Sequence, residues 1–104
     1  MRVEFSPQAD SDADEGLDWW FEHRDKAPQL FRQELHGAVK KLGKTPLIGE
    51  RVATPGASFE VRYVSMPKTR FRVYYRVKAD AGVVEVLRLW HMSRGEAPTF
   101  RGVR

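Results

Sequence analysis

Residues 71–90 read Phe71-Arg72-Val73-Tyr74-Tyr75-Arg76-Val77-Lys78-Ala79-Asp80-Ala81-Gly82-Val83-Val84-Glu85-Val86-Leu87-Arg88-Leu89-Trp90. Phe71, Val73, Tyr75 and Val77 alternate with Arg72, Tyr74, Arg76 and Lys78, the period of a strand with one apolar face and one basic, aromatic face. Asp80-Ala81-Gly82 supplies a hairpin turn. Residues 83–90 are apolar on both faces apart from Glu85 and Arg88, as a central strand would be. Just upstream, Phe59, Val61 and Tyr63 alternate with Glu60 and Arg62 before Pro67 and Lys68, which adds another strand.

The N-terminal half follows a different period. Val3 and Phe5 alternate with Arg2 and Glu4 as a short strand, and Ser6-Pro7 then reads as a helix N-cap followed by proline at the first helical position. Asp10, Asp12, Asp14 and Glu15 crowd the opening turns, where the helix dipole favours anions. Ala13, Leu17, Trp20 and Phe21 recur at helical spacing, and this first helix ends near Arg24. Pro28 separates it from a second helix with Phe31, Leu35, Ala38, Val39 and Leu42 on one face; Lys40, Lys41 and Lys44 lie in its last turn, and Gly43 with Pro46 marks its end. The short link between them makes the helices an antiparallel hairpin. Residues 47–58 contain Gly49, Pro55 and Gly56 and read as a loop with a very short strand near residues 51–53. Residues 92–104 have no periodicity and read as a loop and loose terminus.

At 104 residues the chain is long enough for one core. It contains no cysteine, which excludes disulfides, thiolate nucleophiles and cysteine-bound zinc. No apolar run approaches the roughly 20 residues that span a bilayer, and no signal-peptide pattern opens the chain, so the cytoplasm is the expected compartment. The net charge of +4 is unevenly spread. Residues 1–50 hold seven Lys/Arg against ten Asp/Glu, whereas residues 51–104 hold eleven against four. Such a basic half suits a phosphate backbone or an acidic protein, and charge alone does not separate the two.

Strand, two helices, then three or four strands on a chain this short resembles the RelE/ParE superfamily, toxins of type II toxin-antitoxin systems also known as plasmid stabilisation proteins. The resemblance covers about residues 1–95, leaving 96–104 as a tail. It is carried by Phe59-Glu60-Val61-Arg62-Tyr63, by Phe71-Arg72-Val73-Tyr74-Tyr75-Arg76-Val77, and by Val86-Leu87-Arg88-Leu89-Trp90-His91 with Arg94 close behind, and it lies closer to the ParE-like branch. It implies an α+β fold: an N-terminal strand, and an antiparallel helical hairpin on one face of a twisted, mainly antiparallel sheet of four or so strands. It further implies a growth-inhibiting toxin without metal or cofactor, neutralised by a cognate antitoxin and reaching operator DNA only through that antitoxin. The target is DNA gyrase in one branch and the ribosome with its mRNA in the other, and an inactive relative acting as a basic binding module is the remaining reading.

A metal-free endoribonuclease needs a base, a cation cluster and an acid around one phosphate. The resemblance offers Arg62, Arg72 and Arg94 as cations converging on one phosphate, His91 as the side chain titrating near neutrality, and Glu60 as a possible base. Glu60 stands where nuclease relatives usually carry a second basic residue, and Phe100 falls where they often carry a tyrosine. The gyrase-directed reading requires only a surface, for which Arg62, Arg72, Tyr74, Arg76 and Arg94 are the target-binding candidates. Each arginine alone reads equally well as a solvated strand residue or as an ion pair with Glu60, Glu85 or Glu96. Trp19 and Trp20 are adjacent and cannot share one helix face, so one is a candidate contact for the antitoxin. His23 and His36 read as surface residues.

Overall fold

The computed structural model describes residues 1–54, 58–100 and 103. Pro55 and Gly56, expected in the loop, lie outside the described residues. In chain order the elements are β1 (Arg2–Phe5), α1 (Pro7–His23), α2 (Leu30–Lys44), β2 (Glu50–Val52), β3 (Val61–Met66), β4 (Phe71–Lys78) and β5 (Val83–His91). The strands form one sheet in the order β1-β5-β4-β3-β2, antiparallel except where β1 lies parallel to β5. The expected α+β arrangement holds, with five strands. The β4–β5 link is a single 3₁₀ turn closed by Gly82, whose φ of 65° is the left-handed conformation glycine adopts freely.

Local signals explain most boundaries. The Ser6 hydroxyl accepts from the Ala9 N–H at 3.1 Å and caps α1, with Pro7 at the first helical position. The α2 helix continues through Gly43 to Lys44, because the bare Gly43 backbone admits the chain's start: the Met1 ammonium donates to the Gly43 carbonyl at 2.7 Å.

The apolar stripe of α1 differs from the expected one. Ala9 and Gly16 are buried, Ala13, Leu17 and Trp20 are half-buried against the core, and Phe21 is 68% exposed. Gly16 determines this geometry, since a Cβ there would stand 2.4 Å from the tip of the Phe31 ring. The stripe therefore passes through a residue with no side chain.

Both faces of the sheet are covered. Under the helices lie Ala9, Phe31, Leu42, Met66, Val73, Tyr75, Val84, Val86 and Leu89. On the far side Val61, Tyr74 and Leu87 form a second cluster with Phe100, which comes from the C-terminal tail. The described residues of the tail have no regular structure, as expected, yet they are docked: Phe100 is buried, and the Trp90 indole N–H donates to the Glu96 carbonyl at 2.8 Å. A register shift adds to this double burial. Tyr74 pairs with Arg88 and Tyr75 with Val86, so Leu87 stands opposite nothing and turns to the far side.

Candidate functional site

Partner residues on neighbouring strands share a face, so the register decides which expected site residues meet. Arg62 pairs with Tyr75, a member of the helix-side core, whereas Arg72 pairs with Ser65 and with Trp90. Arg62 and Arg72 therefore lie on opposite faces, and the expected convergence of Arg62, Arg72 and Arg94 on one phosphate does not form. The cause lies in β3, where Val61 and Tyr63 turn to the far side while Val64 and Met66 turn to the helices. The apolar alternation of residues 59–63 belongs to the far-side cluster, opposite to that of β4.

Arg62 and its neighbours are committed to structure. Its Nε donates to the Glu60 carboxylate at 2.8 Å, and Nη1 donates to the carbonyls of Leu47 and Gly49 at 3.2 and 2.8 Å. Glu60 also pairs with Arg51 at 2.9 Å. Arg76 is buried, pairs with Glu85 at 2.8 Å and lies over the Phe59 ring. Two of the ion pairs read from the sequence as alternatives, Arg62 with Glu60 and Arg76 with Glu85, are thus present.

A cationic and aromatic surface does form on the far face. The Arg72 guanidinium lies 4.3 Å from the centre of the Tyr63 ring, and Arg94 lies 3.7 Å from that of Trp90. Since Trp90 is the partner of Arg72 across β4 and β5, the two arginines are neighbours through one indole. Tyr74 lies beneath, tilted against both Tyr63 and Phe100. The Tyr74 hydroxyl is the first of the influences that hold the Arg72 charge in place, against the cost of burial. Its Nε is buried and makes no hydrogen bond. The Tyr63 hydroxyl donates to Glu50 at 2.5 Å, which, with burial, pushes its pKa above the ordinary phenol range. Guanidinium planes resting on rings keep their edges available to an anionic or carbonyl partner.

The other opening lies at the β5 edge. β1 pairs only with residues 83–86, leaving the rest of that edge without a strand. Side chains of α1 and its N-cap replace it: the Ser6 hydroxyl donates to the Leu87 carbonyl at 3.0 Å, and the Leu89 N–H donates to Asp12 at 3.0 Å. Asp12 also accepts two bonds from Arg88, at 2.8 and 3.1 Å. Beyond Asp12 a groove of about 710 Å³ runs between the C-terminal half of α1 and the β3–β4 turn. Trp19, Trp20, Phe71 and Leu89 contribute its apolar lining, and Arg24, Lys68, Arg70 and Arg94 its cations. Trp19 is 44% exposed and stacks on His23, while Trp20 is half-buried.

His91 belongs to this groove and not to the far-face surface, because its partner is Phe71. The His91 Nδ1 accepts from the Ser93 N–H at 3.1 Å and lies 2.6 Å from the Ser93 hydroxyl. The turn opposite is held by Glu34 of α2, whose carboxylate accepts from the N–H groups of Lys68 and Thr69 and from the Thr69 hydroxyl. Arg70 adopts a φ of 65° there, a conformation that costs a non-glycine residue energy.

The site as built thus unites Arg72, Arg94 and Tyr74; Arg76 shares their face but is buried against Glu85 and Phe59, and Arg62, His91 and Glu60 lie elsewhere. Sequence reasoning passed over Tyr63, Trp90, Asp12 and Glu34. The strand motifs contain the first two; the acidic pair carried no signal, because its partners lie 76 and 35 positions away.

A two-helix layer on a five-stranded sheet, with a cationic-aromatic far face and an open groove beside its first helix, makes up this small α+β domain. The chain belongs to the ParE toxin family of type II toxin-antitoxin systems, whose model, described as the ParE toxin of parDE, matches residues 3–95. Among solved structures it is similar to the chromosomal ParDE system of P. aeruginosa, at 23% identity and a TM-score of 0.68, over 88% of this chain and 95% of that one. The isolated E. coli RelE toxin is similar at 18% identity and a TM-score of 0.57, over 91% and 87% of the two chains. A YoeB/ParE toxin from Agrobacterium tumefaciens is similar at 16% and 0.58, over 88% and 98%. No curated protein matches by sequence. Among the described residues, no helix is long and apolar enough to cross a membrane.

Proposed function

We propose that this chain arrests growth by engaging DNA gyrase and is held inactive by a cognate antitoxin seated in the α1–β5 groove. The observation that carries the gyrase reading is the opposite facing of Arg62 and Arg72. Together with the commitment of Glu60 to Arg51 and Arg62, it leaves no base, acid and cation cluster around one phosphate position among the described residues. What remains is a stacked cationic-aromatic surface suited to a protein or its DNA complex, with Arg72 and Arg94 as the contacts and the expected contact Tyr74 buried beneath them as their support. The groove's exposed Trp19 and basic rim favour an antitoxin segment with an apolar anchor and acidic neighbours.

Induced expression in a bacterium, with plasmid supercoiling and mRNA integrity followed in parallel, tests the target. The expected result is growth arrest with altered supercoiling and intact mRNA, relieved by Arg72→Ala. Translation-dependent mRNA cleavage would overturn it in favour of an endoribonuclease, and unimpaired growth at verified soluble expression would sink both.

A further inference from the structure

Leu47 and Ile48 are 63% and 47% exposed, yet the backbone that presents them is tightly fixed. Arg62 donates to the carbonyls on either side of Ile48, from Leu47 and Gly49, and the Gly49 N–H donates to the Tyr75 hydroxyl at 2.9 Å. A Cβ at Gly49 would stand 2.6 Å from that hydroxyl and 2.7 Å from the Tyr63 carbonyl oxygen, so the loop closes only around glycine. A buried tyrosine hydroxyl and a largely buried arginine are thus used to hold two large apolar side chains in water. Beside Ile48 lies a depression of about 270 Å³, bordered by Lys41 of α2 and by Glu50 and Tyr63. Lys40, Lys41 and Lys44, all exposed, occupy the turns of α2 that lead into this loop.

We infer that this tip is a second protein contact, and that its occupant is an acidic surface of the toxin's target carrying an apolar patch. Lys41 at the depression, with exposed Lys40 and Lys44 in the same last turns of α2, gives the charge complement, and the rigid backbone removes the ordering cost that an exposed loop ordinarily brings to binding. Its place in the sheet separates it from the antitoxin groove. The tip lies against β2, β3 and the end of α2, whereas the groove lies against α1, the β3–β4 turn and the end of β5, and none of its lining residues borders the tip's depression. The inference rests on the reading that the groove receives the antitoxin, which leaves the tip to the target.

Purified DNA gyrase is the probe. Inhibition of supercoiling is compared for the full chain, for Leu47→Ser with Ile48→Ser, and for Lys41→Glu with Lys44→Glu. The Leu47/Ile48 variant changes exposed side chains and keeps the wild-type unfolding temperature, whereas the lysine variant sets acids against the dipole at the end of α2 and unfolds at a slightly lower one, still folded at assay temperature. Each is expected to need about tenfold more protein for equal inhibition, the effect of losing one strong contact. Wild-type potency by both variants would overturn the proposal. If the wild-type chain leaves gyrase untouched, the gyrase reading alone fails, and the three chains are compared for growth arrest at equal soluble expression. There, lost arrest by the variants supports the tip and equal arrest overturns it.

Discussion

The two faces of the sheet use the same strands and reach burial by different means. Under the helices, Phe31 and Leu42 bring a whole second layer onto Val73, Tyr75, Val84 and Leu89. On the far face no helix arrives; Tyr74, Val61 and Leu87 are covered by Phe100 from the tail and flanked by Trp90, Tyr63 and Phe59, three rings that carry arginines. The helix side is a core in the ordinary sense. The far side is a surface made dry by stacked side chains, and it keeps its charge because guanidinium groups are part of the covering. A small domain can thereby bury both faces of a strand and still offer one to a partner.

The sharpest way to break this contrast is to remove one ring from each side. Phe31→Ala is expected to cost about 3–5 kcal/mol in urea unfolding, as a fully enclosed ring does. Phe100→Ala is expected to cost about 1–3 kcal/mol, since the tail that carries Phe100 can relax into the space it leaves. Equal losses would mean that the far face is a core like the other. Between these lies Asp12→Ala, which strips Arg88 and the Leu89 N–H of their partner and should cost about 2–3 kcal/mol, with faster hydrogen exchange at the Leu89 amide. Unchanged exchange there would show that α1 does not guard the β5 edge.

Tyr75 sharpens the comparison from within the helix-side core. Tyr75→Phe removes the bond to Gly49, about 1 kcal/mol. Burial raises the Tyr75 pKa above its ordinary 10.0, so the unfolded chain gives up this proton before the folded one does. The stability associated with the neutral phenol is therefore complete below pH 10 and falls as pH rises through the folded value. Chemical denaturation above pH 10 should show a shallower decline for Tyr75→Phe than for the wild type. The smallest effect belongs to Arg70→Gly, which relieves a positive φ and should leave stability level or higher by up to about 1 kcal/mol. A clear loss in thermal unfolding would mean that the Arg70 side chain braces the groove.

The elements themselves were legible because their signals are local: Ser6 with Pro7 starts a helix, Gly82 closes a turn, and the alternation in β4 needs no distant information. The site was legible only in part. Whether Arg62 shares a face with Arg72 depends on which residue of β4 it pairs with, a property of two strands together. The alternation at residues 59–63 is real but serves the far-side cluster, which exists because Phe100 returns from a tail without periodicity. Phe21 and Gly16 show the same limit within one helix. Hydrophobicity favours the phenylalanine, while the close approach of Phe31 selects the glycine.

The parallel pairing of β1 with β5 bears on how the protein comes into being. Arg2 is matched to Val83 and Phe5 to Val86, so β1 has no place in the sheet until β5, 81 positions further on, is there to receive it. Pairings that span so much chain form slowly, because the entropy of the intervening segment must be lost before any contact is gained. The sheet is therefore sealed late in folding, and the groove beside β5 takes its shape only then.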